Sequence, residues 1–170
     1  KVGDIVSTIK VDTIQTRAGA VPKAGDLGLN VTGSVLQVVA ATYSSQVDSS
    51  SSTFADTGLT ATITPSSSSS KVLVIAQISS CFTTTNTGTE LDINLLRDST
   101  QIIASMGGRG GNSLTTGDAI GTVGCSYLDS PATTSATTYK CQFKSTQNNA
   151  TASVQLGGTT STITLMEIAG

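Results

Sequence analysis

From Gly33 onward, apolar residues recur at every second position over much of the chain. Leu59, Ala61 and Ile63 alternate with Thr60, Thr62 and Thr64. Leu91, Ile93 and Leu95 alternate with Asp92 and Asn94, and Tyr139, Cys141 and Phe143 alternate with Lys140, Gln142 and Lys144. A period of two predicts strands with one face buried and one face wet. Residues 34–43 and 71–78 (KVLVIAQI) are instead apolar at nearly every position, the pattern of central strands covered on both sides. Further strands are expected at 101–104, after a turn at 97–100, at 153–156, and at 162–168 with Ile163 and Leu165 on one face. No apolar stripe of helical period outlasts two turns; residues 11–17 support at most one short helical turn. About eight strands in ~140 residues predict an all-β fold, an antiparallel β-sandwich with the jelly roll as the expected topology.

The first 32 residues read differently. Ile5, Val6, Ile9, Val11 and Ile14 are spread thinly among the six charged residues that precede Gly25, and Thr8 to Asp12 alternate like a short strand. Gly19, Pro22, Gly25 and Gly28 then interrupt regular structure. Sparse anchors broken by Gly and Pro cannot bury themselves. Two domains are therefore expected: an extended N-terminal attachment arm at 1–32, with Ile5, Val6, Ile9, Val11 and Ile14 as candidate partner-docking residues, and a β-sandwich at 33–170. A poorly packed tail is the plainer alternative for the arm.

Composition narrows the function. Ser (24) and Thr (29) fill 53 of 170 positions, while charged residues make up 12% and the formal charge is −2. Hydroxyls, not charges, are expected on the wet strand faces. With no His, a His-based triad, a His metal site and a His pH switch are all excluded within this chain. A pI near 4.8 leaves no cation excess for nucleic acid, and no apolar run of 18 residues suggests membrane insertion. No cofactor or metal site is expected. Residues 2–9 do not read as a secretion signal, since Asp4 interrupts them.

Candidate chemistry is thin. Glu90 and Asp92 share a strand face and could begin a calcium site or an acid pair; a solvated strand edge is the simpler reading. Glu167 falls on the face of Ile163 and Leu165, so it must sit at a strand end or be paired at an interface. Arg97-Asp98 reads as a surface turn with a weak local pair. Gly107-Gly108-Arg109-Gly110-Gly111 lacks the lysine and following helix of a phosphate loop, and residues 107–124 read as loop. The Ser-rich runs 49–53 and 66–70 read as exposed connectors. Cys81, Cys125 and Cys141 read as small buried apolar residues, with a Cys125–Cys141 bridge left open. If 129–137 is a hairpin loop, Cys125 faces Cys141 and Tyr127 faces Tyr139 across neighbouring strands.

Several segments together, KVDTIQTRAG at 10–19, GSVLQVV at 33–39, DTGLTATITP at 56–65, SKVLV at 70–74, YLDSP at 127–131 and TITLMEI at 162–168, resemble a family of short bacteriophage virion proteins of marine and freshwater phages, cyanophage-like in kind. The resemblance covers most of the chain. It implies a non-enzymatic structural protein on the particle exterior, tail-fibre-like or capsid-associated. Such proteins are commonly homotrimers with an N-terminal attachment segment, and no catalytic residues carry over. A trimeric fibre or adhesin knob is the leading expectation. Its partners would be further copies of itself, other virion proteins, and a host surface glycan or protein. The alternatives are a capsid decoration protein, or a filament subunit in which residues 5–14 complete the sheet of the next copy. A glycan-cleaving enzyme is disfavoured by the missing His and sparse acids.

Overall fold

Alternation becomes burial strand by strand. In β3 (Ala55–Ile63) the side chains of Thr57, Leu59, Ala61 and Ile63 are buried while Asp56, Thr60 and Thr62 are exposed. β8 (Thr137–Ser145) alternates buried and half-buried positions along its whole length. The other strands are β1 (Val35–Tyr43), β2 (Val47–Ser49), β4 (Lys71–Thr83), β5 (Leu91–Arg97), β6 (Thr100–Ile103), β7 (Asp118–Asp129), β9 (Ala152–Val154) and β10 (Ser161–Ile168). The computed structural model describes residues 32–84, 90–106, 118–146 and 150–170, with only the backbone of 118–120. The expected docking residues Ile5, Val6, Ile9, Val11 and Ile14, and the glycine loop 107–111, lie outside the described residues.

All strand pairs are antiparallel and fall into two sheets. The first runs β1-β10-β4, with β7 on the other edge of β4 and with β2 and β9 continuing beside its C-terminal end; the second runs β3-β8-β5-β6. Taking β1 with β2 and β10 with β9, the strands pair first with last (β1 with β10, β2 with β9), then β3 with β8, β4 with β7 and β5 with β6. A long hairpin with those pairings, rolled up so that β10 meets β4 and β8 meets β5, is a jelly roll. The core lies between the sheets, where Leu59, Ile78, Ile93, Tyr139, Phe143 and Leu165 are fully buried. Each such side chain contributes about 1.5–3 kcal/mol by leaving water.

Two irregularities shape the sheets. β4 carries a register shift between Ile78 and Cys81, with Ser80 at φ 45. There β10 gives way to β9 as its neighbour. Ser161 Oγ accepts from the Ser79 N–H (2.9 Å), and Ser79 Oγ donates to the Thr160 carbonyl (2.7 Å), so backbone groups freed by the shift stay paired. β3 bulges between Asp56 and Thr60. Gly58 sits there at φ 85 with the Tyr43 ring against its Cα, leaving no room for a side chain. The Thr57 hydroxyl donates to the Cys141 carbonyl (2.9 Å) and accepts from the Leu59 N–H (3.2 Å), which pins the bulge.

Three expectations are corrected. Residues 118–129 form a strand, so the loop expected across 107–124 ends by Asp118. β7 and β8 are not a hairpin: Tyr127 pairs with Val74 in the first sheet, and Tyr139 with Ala61 and Arg97 in the second. The segment between them, with Ala132 at φ 53, crosses from sheet to sheet, and β7 thereby pairs the free edge of β4 from Val72 to Thr83. Cys125 and Cys141 accordingly lie on different sheets, and all three cysteines are free thiols. Burial pushes the Cys81 thiol up to about 11 and the Cys141 thiol up to about 12, so neither is a ready nucleophile.

Candidate interaction surface

The outer face of the β3-β8-β5-β6 sheet is a ladder of polar pairs. Asp56 on β3 meets Lys140 (2.9 Å) and accepts from Gln142 Nε2 (2.7 Å) on β8. Burial pushes the Asp56 carboxyl up, but these bonds and the Lys140 charge outweigh it and hold the group below its ordinary value. The Thr62 and Thr138 hydroxyls are 2.8 Å apart. On β5, Asp92 accepts from Ser105 Oγ (2.6 Å) and lies 3.8 Å from Lys144, whose ammonium also stands 4.6 Å from the centre of the Phe54 ring. Asn94 Nδ2 donates to Gln101 on β6 (2.9 Å). Water and cross-strand partners suffice for such a face.

The outer face of the β1-β10-β4-β7 sheet is built differently. Registered pairs set Val38, Met166, Leu73 and Leu128 in one row across four strands. The rows on either side are Ala40-Thr164-Ile75-Ser126 and Val35-Ile168-Lys71. Val38 is 56% exposed, Val35 53% and Leu128 49%, and Ile75 is also exposed, while Leu73, Met166 and Ile168 are half-buried. Lys71 is the one charged residue in these rows and stands at their end. An ordered aliphatic row across a whole sheet leaves apolar area in water that a second surface would remove.

The acids seen in the sequence serve the fold. Glu167 is fully buried at the end of β10. Its carboxylate accepts from Gln37 Nε2 (2.6 Å) and from both the N–H and the hydroxyl of Ser66 (2.7 Å each). Burial pushes this carboxyl up, but these donors, with a lesser contribution from the nearby Ser70 hydroxyl, outweigh it and hold it below its ordinary value. The strand-end reading of Glu167 thus holds, and its partners lie within the chain. The serine run 66–70 is consequently more than a connector: Ser66 caps Glu167, and Ser70 is buried. Arg97 does not rely on its neighbour. It forms an ion pair with Asp129 (2.9 Å) on the other sheet, and Tyr139 Oη donates to the same carboxylate (2.7 Å). Burial, then that carboxylate, pushes the Tyr139 hydroxyl strongly upward, so it stays a donor.

Glu90 and Asp92 are not brought into an acid pair with further ligands; among the described residues no group of three metal-ligating side chains forms. A shallow depression of about 180 Å³ at the β3 bulge is lined by Asp56, Gly58, Leu59, Thr60 and Lys140, but its acid and base already neutralise each other. Among the described residues no helix is long and apolar enough to cross a membrane. The sequence reading missed the apolar face. Its signal was present, because Leu73, Ile75, Met166 and Ile168 occupy alternate positions where other strands carry Thr or Lys.

No protein-family model matches the chain, and no curated protein does. Among solved structures it is similar to particles of infectious bursal disease virus. For the Gx strain the identity is 12% and the TM-score 0.46, covering 80% of this chain and 33% of that one. For the T13 particle the identity is 14% and the TM-score 0.43, covering 99% and 41%. The chain thus spans about a third to two fifths of the chains it matches. Its fold assignment rests on the strand order itself.

Proposed function

We propose that this chain is a non-enzymatic structural protein of a virus particle, a bacteriophage virion protein on the particle exterior. It would assemble as a homotrimeric fibre or adhesin knob, or sit on the capsid as a decoration protein. The observation that carries this reading is the aliphatic row Val38-Met166-Leu73-Leu128, laid across a sheet whose counterpart is mostly polar, with Leu96 in register with Lys140. Such a face is built to be covered, and a chain whose buried acids all brace its own strands invests in persistence. The segment-by-segment resemblance to phage virion proteins supports the particle as its setting.

In this reading residues 1–32 attach the domain 33–170 through Ile5, Val6, Ile9, Val11 and Ile14, and a host glycan or protein is the outward partner. Particles purified to homogeneity should contain the chain at fixed stoichiometry by quantitative mass spectrometry. A chain lacking residues 1–31 should fold yet be absent from particles. Normal incorporation of that shortened chain would refute the attachment arm, and absence of the full chain from particles would refute the virion role. A second reading has its own support. β1 pairs only with β10 among the described residues, and over nine positions it carries neither charge nor proline to blunt its other edge. That edge suits a filament in which residues 5–14 of the next copy add a strand.

A further inference from the structure

We infer that the outer face of the β1-β10-β4-β7 sheet is closed by a second copy of this chain, an inference that rests on the assembly reading above and names its contact surface. Chemistry excludes several other occupants. Lys71 is the only charge in the three rows, so an acidic polymer, a nucleic acid or a strongly charged peptide finds nothing there to pair with. The other sheet cannot take this role, because its outer groups already satisfy one another through Asp56–Lys140, Thr62–Thr138 and Asp92–Ser105.

Area points the same way. Four strands about 4.8 Å apart, crossed by three rows about 6.8 Å apart, present roughly 400 Å². A stable complex of two unlike proteins takes about 800 Å² from each partner. A patch of half that size is weak as a single contact and effective when copies close a symmetric ring, where each protomer is held by two neighbours and no contact can leave alone. Such a ring contact is head to tail, so the charge-free patch packs on a different surface of the next copy, and Lys71 at the margin keeps its ammonium in water. The exposed positions are the ones a contact would desolvate first: Val38 and Leu128 lie at the two edges of the sheet, with Met166 and Leu73 half-buried between them.

The test compares three forms of the full chain by light scattering during gel filtration. The wild type should run as a discrete multiple of the 17.1 kDa protomer. Val38→Lys with Leu128→Lys should run as the protomer while keeping the strand signal and melting as one transition. Thr62→Lys with Thr64→Lys, on the opposite side of the sandwich, should keep the wild-type mass. If the paired lysines prevent folding, Val38→Thr, Met166→Thr and Leu128→Thr together preserve strand propensity and should weaken association at least tenfold. An oligomer that survives either set unchanged would overturn the inference. So would a wild type that stays a protomer at high concentration; that protomer, if still present in purified particles, would leave the virion reading standing and remove this contact alone.

Discussion

The two outer faces of this sandwich share a backbone plan and differ in chemistry. Each belongs to a twisted antiparallel sheet, and each is reached by the alternate residues that the core does not take. On β3, β8 and β5 those residues are Asp56, Thr62, Lys140, Gln142 and Asp92, tied together across strands. On β1, β10, β4 and β7 they include the uncharged row Val38, Met166, Leu73 and Leu128, with the polar positions Thr42, Thr162 and Gln77 lying further along the same strands. The core places the same demands on both sheets, so it cannot explain the difference. On the assembly reading, what lies outside each sheet can: solvent for one, a second copy for the other.

That contrast can be sharpened by first weakening the sandwich without touching either face. Asp129 lies between the sheets, where it neutralises Arg97 and accepts from Tyr139. Asp129→Ala leaves a cation and a buried hydroxyl without their acceptor and should cost about 3 kcal/mol by denaturant unfolding. Asp129→Asn, which keeps one acceptor, should recover part of it. Next is the bulge that turns β3 at the margin of the polar face. Gly58→Ala forces a side chain into left-handed backbone and against the Tyr43 ring, and should cost about 1–3 kcal/mol. A neutral result would mean that the bulge yields freely, and that β3 is a softer edge than β1.

A third test uses acid. The Glu167 carboxyl titrates below its ordinary 4.5 in the folded chain. The unfolded chain therefore binds this proton more tightly, so Glu167 stabilises the fold at pH above 4.5 and loses that contribution as pH falls through its lower folded value. Glu167→Gln should lower neutral stability and flatten the acid limb of a stability-versus-pH curve. Asp56, lowered in the same direction but on the open polar face, should matter less. The smallest effect is expected in that ladder itself. A double-mutant cycle on Asp56 and Lys140 should give a coupling of about 0–1 kcal/mol, since both groups are partly in water. A coupling several times larger would mean that this face, too, is shielded from solvent.

Strong alternation made much of the fold legible. The segments around Leu59-Ile63, Leu91-Leu95, Tyr139-Phe143 and Ile163-Leu165 are strands because every second residue had to be apolar. The strand at Asp118–Asp129 was hidden by Gly121 and Gly124, which dilute its pattern, and β2 is too short at three residues to show a period. Pairing was beyond local reading: a hairpin loop at 129–137 would set Tyr127 opposite Tyr139, whereas the jelly roll sends them to separate sheets. Long-range polar contacts were equally hidden, so Arg97 looked like a partner for Asp98, not for Asp129. The apolar face illustrates a different limit. KVLVIAQI was read as doubly covered, and its apolar outer positions are there, but sequence alone cannot say that the second cover is missing from the protomer.

The chain has two methionines, and they give that claim its most direct test. Met166 lies in the aliphatic row, whereas Met106 packs against the core on its own. Oxidation by dilute peroxide, followed by peptide mass spectrometry, compares the wild type with the Val38→Lys, Leu128→Lys form. Met166 should oxidise slowly in the wild type and several-fold faster in the variant, with Met106 unchanged between them. Equal rates at Met166 in the two proteins would contradict the account, because the face would then be as open in the native assembly as in a lone protomer.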